Sequence, residues 1–416
     1  MKKILQIRLL MTLLLLSSVA LYSCKDSGPK DLNIVSILVG DQDMNTAVSP
    51  VNVPVGSPIV VTFNTVINPQ TVTPATVKLV QDYDGTEMEI DMVVDRTKLT
   101  ITPKNNLGSG ALYRLELRSG LLNDDDQPLG NTTRTFTTAG TFSPPGMVAY
   151  WDFEGNADDQ AGTFSPPASG VVDVTYTPGR NTEAGLAATF NGTTSIIEIP
   201  NGDQLINTND LTLSFWVKTN SEGIDRGHFV IGLGAFWGLQ FEVFGNYEGA
   251  KFALRYLLAD GESTGEDMWF PAEATDNTTG GWMGWDYARS LTPEQMVAKL
   301  KDTWLHVTLT YDSATKKTAL YYNGEIMKSM DFNLWPENDP KRTVTGMVYA
   351  GTAPDVVNEM AFGFIQSRAG TLWQDEPWGG YRFPEANHFK GQLDDIKIYH
   401  KALTANEIRL MYESER

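Results

Sequence analysis

One cysteine, Cys24, occurs among 416 residues, so no disulfide can form within the chain. Histidine is nearly as scarce: His228, His306, His388 and His400 are the full set, and no two stand at a spacing that suits zinc. Positive charge is also short. Against 51 Asp and Glu there are 32 Lys and Arg, a formal net charge of −19. A surface of that sign repels nucleic-acid phosphates and anionic lipid headgroups, and no Lys/Arg cluster offsets it locally. Nucleic acid is therefore set aside as a partner. No phosphate loop, cofactor fingerprint or Ser/His/Asp arrangement stands in the sequence.

What is present begins with an export signal over residues 1–23. Lys2, Lys3 and Arg8 flank a mostly apolar run, residues 9–20, which is short for a membrane span. The run ends in Leu21-Tyr22-Ser23-Cys24, which resembles a lipobox, so Cys24 is the expected lipidation site. Lys25-Asp26 resembles the short acidic signals that send lipoproteins of the Bacteroides group to the outer face of the cell. Residues 24–30, with Ser27-Gly28-Pro29, read as a flexible tether.

Residues 31–140 alternate short apolar runs with turn residues such as Asn68-Pro69, Asp84-Gly85 and Asn105-Asn106. Seven or so strands at that spacing predict a β-sandwich. The pieces VTFNTVINPQTV, LTITPKNNLGSGALYRLEL and LLNDDDQPLGNTTRTFTT resemble bacterial immunoglobulin-like domains of cell-surface proteins, which act as spacers. Asp124-Asp125-Asp126 reads as a solvated turn in preference to a calcium loop. Residues 141–146, with Pro144-Pro145, read as a stiff linker.

Residues 147–416 are framed by two patterned runs. One is 147–156, MVAYWDFEGN. The other is 391–412, where strand formers surround Asp394-Asp395 and a Thr404/Glu407 capping box opens a short helix. Pairing of these runs would close one sheet-built domain on itself. YWDFEGNADDQAG, AATFNGTTSIIEIP, LTLSFWVKT, TWLHVTLTYD and GQLDDIKIYHKALTANEI resemble, in that order, the laminin-G-like, concanavalin A-type jelly roll of bacterial surface proteins. The expected fold is thus all-β: an immunoglobulin-like sandwich, then a concanavalin A-like jelly roll with short helices. The resemblance also implies a structural Ca²⁺ where the first and last strands meet, with Asp152, Glu154, Asn156 and Asp394 at the matching positions. Within the strands, Trp216 and Trp304 read as core, and His306 as an outward or packed strand residue.

Two stretches interrupt the strand pattern. Residues 260–290 are polar and Gly-rich yet hold Trp269, Trp282, Trp285 and Tyr287, and a Thr292-Pro293-Glu294-Gln295 helix start follows. Residues 366–388 hold Trp373, Trp378, Tyr381 and Phe383. With Trp335, six of the ten tryptophans read as loop residues, and long loops are uncommon without a task. A pyranose stacks its C–H face on a flat ring and offers its hydroxyls to polar side chains. Trp282, Trp285, Trp373, Trp378, Tyr381 and Arg382 are therefore the expected ligand-binding set, with Asp286, Arg289, Gln366, Arg368 and Gln374 nearby. The competing reading folds these aromatics down as satellite cores under their own loops.

Glycoside hydrolysis needs two carboxylates about 5–5.5 Å or roughly 6.5–9.5 Å apart. The only run of three alternating carboxylates, Glu87-Met88-Glu89-Ile90-Asp91, lies in the first domain, so no catalytic pair is assigned. The reading that results is a non-catalytic, lipid-anchored protein of the outer membrane, facing the exterior and binding carbohydrate. Its membrane contact is the lipid alone, and other surface proteins of a glycan-uptake system are candidate partners. The alternatives are a protein-binding adhesion module and a glycoside hydrolase.

Overall fold

The computed structural model describes residues 28–271 and 285–416, in two units, Met1–Gly140 and Thr141–Arg416. The export segment, Cys24 and Trp282 lie outside the described residues.

The first unit is the expected β-sandwich. One sheet runs in the order Gln42–Asp43, Ile34–Val39, Ile59–Phe63, Lys98–Pro103, Ile90–Asp95. The other runs Val77–Gln81, Leu112–Leu117, Thr132–Thr137. Alternation builds it: Ile59, Val61 and Phe63 are buried, while Val60 and Thr62 between them are only half-buried. The phenol of Tyr113 crosses this core fully satisfied, accepting from Gly108 N–H at 2.8 Å and donating to Gln81 at 3.1 Å. Asp124, Asp125 and Asp126 are exposed in a turn that Asn123 organises by accepting from the Asp125 and Gln127 amides. Glu87, Glu89 and Asp91 are exposed as well, with Glu87 beside Lys78.

The second unit is a jelly roll of two sheets. The nine-stranded sheet runs Thr175–Pro178, Leu186–Asn191, Lys390–Tyr399, Leu211–Thr219, Leu305–Asp312, Lys317–Tyr322, Glu325–Asp331, Trp285–Ala288. Its ninth strand, Met147–Trp151, pairs with Lys390–Tyr399 as the sequence pattern predicts: Ile396 lies opposite Trp151 and Ile398 opposite Ala149. Lys390–Tyr399 is not an edge but the axis of the sheet, with Leu211–Thr219 along its other side. The eight-stranded sheet runs Val171–Val172, Ile196–Ile199, Met360–Phe362, His228–Leu233, Leu239–Val243, Ala250–Leu258, Ser263–Phe270, and Val344–Met347 also pairs with Ala250–Leu258. Aromatic rings fill the space between the sheets, among them Trp151 edge-on to Phe362 at 5.1 Å and Phe241 with Phe252 at 4.6 Å.

Helix Ala405–Glu415 carries both halves of the predicted capping box and buries Ile408 and Met411. It covers the outer face of the nine-stranded sheet, with Tyr412 stacked on Trp216 at 5.8 Å. Leu211–Thr219 is consequently buried on both faces, and Trp216 packs under this helix rather than between the sheets. His306 is buried beside it, its Nε2 2.8 Å from Ser214 Oγ. Trp304 is half-buried and precedes its strand, so it is not the strand residue the pattern suggested. Part of the expected linker belongs to this unit: Phe142 N–H donates to Ser414 Oγ at 3.0 Å, and the Ser143 and Tyr399 hydroxyls lie 2.5 Å apart.

The interrupting stretch 260–290 is also corrected. Trp269 lies on strand Ser263–Phe270 and Trp285 begins strand Trp285–Ala288, so neither backbone is a loop. Gly265, Glu266 and Asp267 hide the strand signal in STGEDMWF. The partner strand supplies what propensity withholds, because tertiary pairing overrides β-propensity. Helix Pro293–Leu300 follows with its capping box complete and Met296 and Leu300 buried.

Candidate functional site

Three neighbouring strands of the eight-stranded sheet lay down a polar floor. Their apolar residues, including Phe241, Phe252, Leu254 and Met268, enter the core. The alternate positions form rows across the opposite face. Glu242, Lys251 and Trp269 stand in one row; Gln240, Ala253 and Asp267 in the next; Arg255 faces Gly265 in a third.

Above this floor, the insertion after Met360–Phe362 folds back over the sheet. Phe364, Ile365 and Ala386 join Ile196, Phe229 and Ala235 in a small core of their own. Gly232 permits the crossing, since a Cβ there would lie 1.9 Å from the Ile365 carbonyl oxygen. The return brings Trp373 and Trp378 to the rim, 4.9 Å apart and inclined at 49°. Trp378 meets Phe229 edge-on at 6.3 Å and Trp373 meets Phe236 at 5.9 Å. Trp373 holds φ at +59°, a left-handed conformation unusual for a bulky residue. The turn bond from Gln374 N–H to the Thr371 carbonyl, at 3.1 Å, holds the chain there. Floor and rim enclose an open groove of about 570 Å³.

The electrostatics of the floor are specific. Lys251 Nζ lies 3.4 Å from Glu242 and 3.5 Å from Asp267, and 5.0 Å over the Trp269 ring. Burial pushes the Glu242 carboxyl above the usual carboxylate range, with Lys251 opposing. The Arg255 guanidinium sits 4.8 Å over Trp237, and burial lowers its pKa. Trp378 at the rim remains 42% exposed, which leaves ring face toward the groove, whereas the Trp269 ring is met by Lys251 and by Phe244 at 5.1 Å.

Of the six expected ligand residues, the structure brings Trp373 and Trp378 to this groove. Tyr381 goes elsewhere: it packs edge-on to Phe364 at 5.4 Å and donates its hydroxyl to the Thr194 carbonyl. Arg382 is exposed, paired with Asp375 at 2.9 Å. Trp282 lies outside the described residues, and the backbone of Trp285 belongs to the other sheet. Most expected polar partners are spent within the protein. Asp286 takes Lys317 at 2.8 Å, Arg289 pairs with Glu325, Gln366 donates to the Leu372 carbonyl at 2.7 Å, and Arg368 grips Glu198. Gln374 is exposed. Trp335 packs against the main core under the Lys341 ammonium, 4.1 Å from its ring.

The floor residues Gln240, Glu242, Lys251, Arg255 and Asp267 were not singled out from sequence. Part of their signal was present: Gln240 and Glu242 alternate in LQFEV, and Lys251 and Arg255 share one face of AKFALRYLL. Nothing in one strand says that another segment will roof that face.

The residues expected to hold calcium do not fit it as a set. Asp394 accepts a 2.5 Å bond from Arg180, whose other terminal nitrogen takes Asp395 at 2.5 Å. Glu154 accepts the Leu186 amide at 3.0 Å, Asp152 accepts from Gln160 at 3.1 Å, and Asn156 accepts the Asp158 amide at 2.8 Å. Among the described residues no three His, Cys, Asp or Glu side chains gather as metal ligands. A guanidinium stands where the cation was expected, and it satisfies the acids as a cation would.

Comparison with known proteins agrees with this architecture. Residues 42–138 match the bacterial Ig-like domain family, and residues 191–362 match the concanavalin A-like lectin/glucanases superfamily. No curated protein matches the chain. Among solved structures, the binding domain of Paraclostridial mosquitocidal protein 1 is similar at 15% identity and a TM-score of 0.40, over 65% of this chain and 52% of that one. The botulinum neurotoxin serotype G binding domain is similar at 15% identity and a TM-score of 0.39, over 64% and 50%. This chain thus spans about half the length of those structures.

Proposed function

We propose that the second unit binds carbohydrate in the groove on its eight-stranded sheet, without altering it. The observation that carries this reading is the combination of an aromatic rim, Phe236, Trp373 and Trp378, with a floor of hydrogen-bonding side chains, Gln240, Glu242, Lys251, Arg255 and Asp267. Rings accept the apolar face of a sugar, and the floor reads its hydroxyls. Around the site, the reading extends to a Cys24-lipidated protein on the outer face of the outer membrane, with the immunoglobulin-like unit as spacer and other surface proteins as partners.

Hydrolysis is the second reading, and one observation favours it. Glu242 and Asp267, on the strands either side of Ala250–Leu258, both reach the Lys251 ammonium, which brings two carboxylates from different strands to one place. Binding without cleavage is preferred because Lys251 bridges both acids. Burial raises the Glu242 carboxyl, as a general acid requires, but the ammonium opposes that shift and occupies the space between the two acids that a scissile bond would need.

The experiment is a panel of polysaccharides and oligosaccharides, scored for retention of the protein and for released reducing ends. Retention without release is expected. Release by the parent that Glu242→Gln abolishes would install the hydrolase reading. Capture of a surface protein with no glycan retained would install the adhesion reading.

A further inference from the structure

The carbohydrate reading leaves the class of sugar open, and the two cations of the floor bear on it. They are in different states. Lys251 is shared between Glu242 and Asp267, so its charge is compensated. Arg255 is not. Its Nε donates to Ser263 Oγ at 3.0 Å, and among the described residues no carboxylate pairs with it. The Trp237 ring beneath holds the guanidinium plane without supplying an acceptor. Across the strand stands Gly265, so its cross-strand partner puts no side chain over the fork, where even a Cβ would come within 3.4 Å of Nη1.

Distance separates this end of the groove from the acids. Arg255 and Lys251 lie four residues apart on one strand, roughly 13 Å at the rise of a β-strand. Charges are screened over about 8 Å at physiological ionic strength. The Glu242 carboxylate beside Lys251 therefore repels an anion at Arg255 only weakly. Asp267 is nearer, opposite Ala253, but its carboxylate is turned to Lys251 at 3.5 Å. A half-buried guanidinium with unused N–H groups, fixed by stacking, is built for a planar or tetrahedral oxyanion.

We propose that the groove takes an acidic saccharide, and that Arg255 binds its carboxylate or sulfate ester through paired N–H donors while the ring system stacks on Trp373 and Trp378. This deepens the carbohydrate reading and rests on it. The neutral part of the ligand is held by the rings and Gln240; the acid adds a charge-assisted contact at the Trp237 end.

The test uses the full chain, titrated by calorimetry with matched oligosaccharides of one backbone in neutral, uronic-acid and sulfated forms. The acidic forms should bind about 10- to 100-fold tighter than the neutral form, the usual worth of a hydrogen bond to a charged group. Arg255→Gln should erase that margin, weakening the acidic forms at least about 10-fold more than the neutral form. Arg255→Lys, which keeps the charge but loses the fork, should retain part of it. Whichever acidic arm shows the margin identifies the anion. Equal binding of neutral and acidic forms by the parent overturns this inference while the carbohydrate reading stands, and that comparison needs no variant to fold. Loss of neutral and acidic binding alike in a folded Arg255→Gln protein overturns it too. Binding of none of the forms, nor of any glycan in the wider panel, overturns the carbohydrate reading and this inference together.

Discussion

The indole N–H of Trp216 donates to Glu415 Oε2 at 2.7 Å, and both residues are buried. This bond joins helix Ala405–Glu415 to the middle of the nine-stranded sheet. The other carboxylate oxygen of Glu415 takes the buried Lys397 ammonium. Arg180 adds a bond from Nε to the Glu415 carbonyl at 2.7 Å and lies 4.7 Å over the Trp216 ring. A helix that could have rested on apolar contacts alone is thus also fastened by charge, and each member of the set depends on the others for its compensation.

Truncating one member should be expensive for that reason. Glu415→Ala strands the Lys397 ammonium and the Trp216 N–H without an acceptor, at an expected cost of roughly 3–5 kcal/mol. Glu413→Ala, two residues away, removes only the exposed pair with Arg409 and should cost less than about 1 kcal/mol. Urea denaturation of both variants checks the contrast; equal losses would show that the buried set does not hold the helix.

His306 predicts a pH signature. Burial depresses its imidazole from 6.5 to about 3, with Lys397 and Arg180 adding to the effect. The folded protein keeps this ring neutral where the unfolded chain protonates it. Its contribution is therefore present above pH 6.5 and is lost as pH falls toward 3. Relative to His306→Asn, the parent should lose up to about 1.4 kcal/mol of its advantage per pH unit in that window. Parallel stability curves for the two proteins would mean that the ring titrates alike in both states.

The two aromatic roles separate by which observable moves. Trp378→Ala should leave the melting temperature nearly in place and weaken glycan retention by about 1–3 kcal/mol, by analogy with stacking of bases on aromatic rings. Tyr381→Ala should do the reverse, costing roughly 2–4 kcal/mol of stability, because its half-buried ring packs against the small core beneath the insertion. If Trp378→Ala unfolds the protein as readily as Tyr381→Ala does, the rim is structural.

Anchoring is tested at Cys24. As the only cysteine, it is the only site for a thioether-linked lipid, so Cys24→Ala should move the protein from the detergent phase to the aqueous phase on phase partitioning. Unchanged partitioning would remove the lipoprotein part of the proposed function.

Local pattern was enough for much of this molecule. Alternation at period 2 marked the strands, Thr404 with Glu407 and Thr292 with Gln295 marked two helix starts, and the runs around Trp151 and Ile396 marked the strands that close the second unit. Each depends on neighbours in the chain, so the sequence determined them. The insertion 366–388 was legible as a functional candidate for the same reason: it spends tryptophan where strands do not need it. What each ring does was not legible. Tyr381 and Trp378 stand three residues apart in similar surroundings, yet one caps a small core and the other borders the groove. Asp394 matched a metal ligand by motif, but Arg180, far away in sequence, reaches it first. The floor of the groove combines residues from three strands, and its meaning depends on which face is roofed. These are choices among long-range partners. A side chain's role is set by the charges and surfaces that folding brings against it, and only the tertiary structure decided those.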